Sequence, residues 1–400
     1  MEVFVARHPI FDEHKDVYGY ELGFRSGFVT YYEALEKDKS AVDLMAFVNF
    51  GELTDGKKGF VKFPRNLLAM GFPVLFSSDA MTAGVPGTID GDPQILAQCR
   101  ELKSCGYTLA ITDFRHEYLD SPLLEFADIA EIDFPETPAA QRPELCRQLS
   151  ERGIRSLARQ VETSEEFDQA VSWGYSYFHG PFFTKPVTRP DNEIAAGKLT
   201  YLRLLREVNS PALSYDEIAD LVEQDVALTY KLLRFMNSAW FGLRFEVRSV
   251  KHALVLLGPK EIRRWVALAA VRSTGEDKPY ELLVRSLTRA KAAEQIALLT
   301  DLKNKAPELF LMGMFSLIDA LTDNPMSAVL AELPLKEAVK EILLEDSGPY
   351  KAIHDTLTSY EQGDWELFST SVEGLGIDEN ALPPLFRAST KWANDALAEM

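Results

Sequence analysis

The residues best placed to do chemistry stand where apolar runs end. "LAITDF" (109–114) leads into Thr112 and Asp113, "AEIDF" (130–134) into Asp133, and "ARQVE" (158–162) into Glu162. A short apolar run that turns abruptly polar has the form of a buried strand delivering side chains to an active site. In a barrel of parallel strands such sites lie at the carboxyl ends. Asp113, Asp133 and Glu162 are therefore expected together at one rim.

The elements that would hold them are legible from about residue 3 to 187. "GFVKF" (59–63), "YTLAITDF" (107–114), "DIAEIDF" (128–134), "IRSLARQVE" (154–162) and "SYFHGPFF" (176–183) are strand-like. Helical stretches separate them. One carries Pro93 early and stops at Gly106; another is bracketed by Ser164 as N-cap and Gly174 as C′. Regular alternation of strand and helix predicts a parallel sheet with enough strands to close. Beyond "KPVTRPDN" strand signals almost vanish. "SYDEIADLVEQD" opens with the capping box Ser214–Glu217, and Gly258-Pro259 breaks a long helical stretch into two. The expected architecture is an α/β TIM-like barrel over 1–190 and an all-α bundle over 191–400, joined near 185–193.

Four hundred residues exceed one ordinary core, in keeping with two domains. A formal net charge of -19 excludes bulk binding to nucleic acid. The local run Lys260, Arg263 and Arg264 reads as a solvated helix face. Cys99, Cys105 and Cys146 form no CxxC pair, so reduced thiols are expected rather than a disulfide framework or zinc site. No signal segment and no apolar run of membrane-spanning length is present, which predicts a soluble cytoplasmic protein.

"YGYELGFR" (18–25), "FVKF", "LAITDF", "AEIDF", "ARQVET" and "FHGPFFTKP" occur in the order and spacing of the EAL domain, which the first 187 residues resemble. The resemblance implies a barrel whose members hydrolyse cyclic di-GMP with two divalent cations held by carboxylates and an asparagine. In that alignment Glu21 matches a metal-binding glutamate and Arg25 an arginine facing a ligand phosphate. The remaining matches depart from the family. Gly23 replaces a leucine, and Lys62 replaces the strand asparagine. Gly84 and Gly87 fall on a Glu-x-x-Glu pair, and Thr112 with Asp113 on paired aspartates. Glu131 stands where the catalytic lysine would, while Asp133 remains. Arg159 to Glu162 replace Glu-Gly-Val-Glu, and His179 replaces a late glutamine. Magnesium needs oxygen ligands in near-octahedral array, and neither an ammonium nor a guanidinium is one. Lys62 and Arg159 are expected to pair with Glu21, Asp113 or Asp133, leaving a network without metal or cofactor. His179 is readable as a general base or as a hydrogen-bonded strand-end histidine; the other histidines give no ligand spacing.

"LLRFMNSAWFG" followed by "VRSVKHALVLLGPKEIRRWVALAA" resembles the HDOD domain, a helical relative of HD phosphohydrolases. The resemblance places their His-Asp doublet at Ile318 and Asp319, so that doublet is lost. Phe235, Met236, Trp240, Phe241 and Phe245 form either a partner groove or simply core, Asn237 and Ser238 are expected to tie the turn, and His252 packs on a helix. The expectation is a non-catalytic bacterial signalling adaptor acting through unidentified protein partners, with a homodimer among the assemblies open to it. The alternatives are a metal-independent cyclic di-GMP receptor, using Arg25, Lys62 or Arg159 against phosphate, and an active phosphodiesterase.

Overall fold

A computed structural model describes residues 4–25, 50–187, 196–208, 213–237, 247–274, 278–333 and 335–399. The chain divides into two compact units. One is Met1–Phe183 with Ser359–Trp365; the other is Thr184–Thr358 with Glu366–Met400.

The first unit is a closed eight-stranded barrel. Its strands are β1 (Val5–Phe11), β2 (Val17–Phe24), β3 (Lys58–Lys62), β4 (Met81–Pro86), β5 (Thr108–Thr112), β6 (Ile129–Asp133), β7 (Arg155–Arg159) and β8 (Tyr177–His179). β1 runs antiparallel to both of its neighbours, β2 and β8. Every other pair is parallel. Sequence inspection passes over β4, "MTAGVP", because Gly84 and Pro86 dilute its strand signal.

Helices cross over between strands. α1 (Pro93–Ser104) starts at Asp92, whose carboxylate accepts from the Gln94 and Ile95 amides, and α2 (Arg142–Glu151) follows β6. α3 (Ser164–Ser172) is capped by Thr163, not Ser164: the Thr163 hydroxyl accepts from the Glu166 amide. Inside the barrel Ile10, Phe60, Ala110, Ile129, Leu157 and Tyr177 form one buried layer. Because side chains alternate along a strand, the residues two positions further also face inward, one layer nearer the carboxyl rim. On β3, β5, β6, β7 and β8 these are Lys62, Thr112, Glu131, Arg159 and His179.

The second unit is helical among the described residues. It includes α4 (Tyr215–Glu223), α5 (Val226–Met236), α6 (Val250–Thr274), α7 (Tyr280–Leu298), α8 (Ala306–Phe315), α9 (Ile318–Thr322), α10 (Glu337–Glu345) and α11 (Lys351–Gln362) as far as Thr358. Ser214 caps α4 by accepting from the Glu217 amide. α6 is two helices across a kink at Gly258, whose φ of 70° suits a residue without Cβ. Trp265, Phe315 and Phe368 lie in its core.

Candidate functional site

The inward layer above the barrel core is charged. Lys62 Nζ lies 3.5 Å from Glu21 Oε1 and 3.1 Å from Glu131 Oε2. Arg159 places Nη2 3.3 Å from the same Glu21 Oε1 and Nη1 3.8 Å from Asp113 Oδ1. The second oxygen of Glu21 is 3.4 Å from His179 Nε2. Glu21 of β2 thus sits among four side chains, Lys62, Glu131, Arg159 and His179 from β3, β6, β7 and β8, and Asp113 touches the edge.

Backbone geometry helps assemble the cluster. Asp113 and Gln160, directly after β5 and β7, take left-handed φ values of 56° and 57°. This conformation is uncommon outside glycine and collects at functional sites. It turns the chain sharply at the rim. Asp113 also accepts from the Thr112 hydroxyl at 3.1 Å. Gly84 sits opposite Lys62 in register. A Cβ there would lie 3.1 Å from Lys62 Cα and 3.1 Å from the Thr112 methyl. At Gly87 it would lie 3.2 Å from the Tyr118 ring. The two positions aligned with a carboxylate pair therefore have little room for side chains.

Electrostatics set each protonation state. Burial alone would raise Glu21, but His179, Lys62 and Arg159 outweigh it and hold its pKa at about 2. Burial pushes Glu131 up to about 7, and the adjacent Lys62 only partly offsets that. Burial likewise lowers His179 to about 4 despite Glu21, so its imidazole is neutral near pH 7. Arg159 is raised, with Glu21, Glu131, Asp113 and Asp133 outweighing the cost of burial. The 3.1 Å Lys62–Glu131 distance and the upward shift of Glu131 point in opposite directions. We favour the shift, because the Glu131 side chain is only 5% exposed against 29% for Lys62. Glu131 Oε2, Arg159 Nε and His179 Nδ1 are buried and make no hydrogen bond.

These residues do not fit a pair of divalent cations. Both oxygens of Glu21 already face cationic or imidazole nitrogens. Two unit charges 4 Å apart interact by about 4 kcal/mol at an effective dielectric of 20, so a dication beside Lys62 would meet about 8 kcal/mol of repulsion.

The three carboxylates expected at one rim stand at or just beyond the carboxyl ends of β5, β6 and β7, but they take different partners. Asp113 joins through Arg159, whereas Asp133 accepts from the Glu136 amide at 3.1 Å. Glu162 is exposed on the turn into α3, where its amide donates to Glu166. The reason is parity: Glu162 lies beyond the end of β7, past the left-handed turn at Gln160. Lys62 takes Glu131 as its nearer carboxylate, a partner the alignment did not suggest. Arg25 lies with its guanidinium 5.0 Å over the Phe4 ring. His8, opposite Glu21 in the β1–β2 register, is the residue that sequence reasoning missed. Its ring is 5.8 Å from that of His179. Its position two residues before the core-facing Ile10 on β1 was the available signal.

In the helical unit Phe235 is half-buried and Met236 buried. Trp240, Phe241, Phe245 and Ser238 lie outside the described residues. Asn237 donates to the Leu233 and Val247 carbonyls and accepts from the Val247 amide. His252 is exposed on α6. Ile318 is buried, and Asp319 accepts from the Ala320 amide at 2.8 Å. All three cysteines are free thiols, and no described helix is long and apolar enough to cross a membrane.

The HDOD domain matches residues 198–332. The protein YuxH of Bacillus subtilis (strain 168) is 31% identical over 409 residues, covering 99% of each chain. The cyclic di-GMP phosphodiesterase CdgJ of Vibrio cholerae is 32% identical over 400 residues, covering 98% of this chain and 92% of that one. Solved structures similar to the chain include a PaMucR phosphodiesterase in complex with c-di-GMP, 14% identical, with a TM-score of 0.34 over 45% of this chain and 89% of that one. The FimX EAL domain of Pseudomonas aeruginosa bound to c-di-GMP is 15% identical, with a TM-score of 0.35 over 48% of this chain and 93% of that one.

Proposed function

We propose a non-hydrolysing role in cyclic di-GMP signalling for this chain, which belongs to the same family as YuxH and CdgJ and joins an EAL-like barrel to an HDOD domain. The observation that carries the reading is the engagement of Glu21 by Lys62 and Arg159. The two cations stand where oxygen ligands would be needed, and they neutralise the carboxylate that would hold a metal. The barrel then acts as a scaffold, and output passes through contacts with protein partners. An assembly of two copies is compatible with that role.

A second reading, metal-free reception of cyclic di-GMP, needs Lys62 or Arg159 to turn from carboxylate to phosphate. Their existing partners weigh against it. The Vibrio cholerae relative is named a cyclic di-GMP phosphodiesterase, which favours the third reading, a working phosphodiesterase.

One experiment separates the three. The full chain is incubated with cyclic di-GMP and Mg²⁺ or Mn²⁺, and linear dinucleotide is sought by chromatography. A parallel calorimetric titration is run with metal and with chelator. We expect no product and no binding heat. Product that disappears with chelator and in Glu21→Gln would overturn the proposal in favour of catalysis. Metal-independent heat without product would replace it with the receptor reading.

A further inference from the structure

We propose that Asp346, His354 and Asp355 in the helical unit bind one divalent transition-metal ion of the zinc class, in competition with the ammonium of Lys351. Each residue offers one ligand atom, and the three atoms lie within 4.8 Å of one another. The set, one imidazole and two carboxylates, suits zinc, cobalt or manganese better than magnesium or calcium.

The turn between α10 and α11 builds the group. Asp346 ends α10 in the left-handed conformation, φ 50°, and its amide donates to the Ile342 carbonyl at 3.2 Å. Gly348, at φ 97°, tucks so close to Glu341 that a Cβ there would lie 2.7 Å from the carboxylate. Tyr350 is buried and donates to Glu308 Oε2 at 2.7 Å. His354 and Asp355 then follow on the opening turns of α11. The frame is therefore fixed by contacts that involve no ion, as a preorganised site requires.

Two observations point to a cation within it. His354 Nδ1 is buried and without a hydrogen-bond partner, although it stands 3.5 Å from Asp346 Oδ1. That gap is wide for a hydrogen bond. It matches the separation of about 3.4 Å between two ligand atoms bound tetrahedrally at roughly 2.1 Å. The guanidinium of Arg289 also acts electrostatically on the His354 ring. The second observation is Lys351, whose Nζ already bridges Asp346 Oδ2 at 2.9 Å and Asp355 Oδ1 at 2.7 Å. The two carboxylates that hold this ammonium can take an ion in its place only as the ammonium withdraws. The Lys351 side chain is 41% exposed and can withdraw into solvent. Arg289 opposes binding, and exposed Asp346 leaves coordination positions to water, so the ion is exchangeable rather than structural.

The test is a calorimetric titration of the full chain with Zn²⁺, on a Cys105→Ser background because that exposed thiol would compete. One ion per chain is expected. Asp346→Asn, which keeps a residue tolerant of the left-handed cap, should weaken binding at least tenfold. Lys351→Met should tighten it severalfold. Co²⁺ should give visible d–d absorption in the parent and not in Asp346→Asn. No binding by either the parent or Lys351→Met overturns the proposal, leaving Lys351 as a simple clamp. Equal affinity in Asp346→Asn and the parent also overturns it.

Discussion

Replacing Glu131 with glutamine should stabilise the barrel at alkaline pH, although it removes half of an ion pair. Glu131 has a folded pKa of about 7 against an ordinary value of 4.5. A folded-state pKa raised above the unfolded one means that the folded chain holds the proton more tightly. The associated stability is present in full below pH 4.5 and is lost as pH rises through 7. At 1.36 kcal/mol per pKa unit, ionised Glu131 costs about 3 kcal/mol at pH 8 relative to its neutral form. Glutamine has the same shape and no charge to desolvate. Urea denaturation of the full chain at pH 5 and pH 8 should therefore show Glu131→Gln near parity at the lower pH. At pH 8 it should be more stable than the parent by about 2–3 kcal/mol, some loss of attraction to Lys62 included. His179 makes the comparison sharper. Its folded pKa of about 4, against 6.5, contributes stability that is present above pH 6.5 and lost as pH falls toward 4. Between pH 4.5 and 6.5 the slopes of Glu131 and His179 oppose each other, so the cluster's net dependence should be flat in the parent and rise with pH in Glu131→Gln. A loss of stability at pH 8 in Glu131→Gln would refute the reasoning. It would show that Lys62 at 3.1 Å outweighs burial after all.

Arg159→Met should raise the folded pKa of Glu21 from about 2. The stability from ionised Glu21 is present above pH 4.5 and lost as pH falls toward 2, so acid unfolding should begin at higher pH, as followed by circular dichroism. Gly180→Ala should cost more than about 3 kcal/mol in urea denaturation, because its φ is 146° and a Cβ would lie 2.2 Å from the Val161 carbonyl oxygen. Asn237→Ala removes three hydrogen bonds to Leu233 and Val247. It should lower stability by about 1–3 kcal/mol, with amide exchange accelerated first at Val247.

The sequence alone determined the broad architecture, because strand and helix periodicities are local. Apolar runs marked five of the eight barrel strands, β3 and β5 to β8, and the capping residues marked helix starts to within a residue or so, as the shift from Ser164 to Thr163 illustrates. It also supplied the residue types at the rim, including the cations Lys62 and Arg159. The partners were decided by tertiary structure. Glu21 and Arg159 are 138 residues apart in the chain, and only closure of the barrel, with β1 antiparallel between β2 and β8, brings their strands to one layer. Which face a residue presents depends on parity relative to the core layer. That parity admits Glu131 and His179 beside Glu21, while the left-handed turn at Gln160 leaves Glu162 exposed outside. Protonation followed the same rule: type alone makes Glu131 an ordinary carboxylate, and burial beside Glu21 holds its proton up to about pH 7. Likewise Asp346 and His354 become neighbours only because the turn at Gly348 folds α11 back on the end of α10. Local pattern specifies elements, whereas charge and coordination depend on what the folded chain places within a few ångströms.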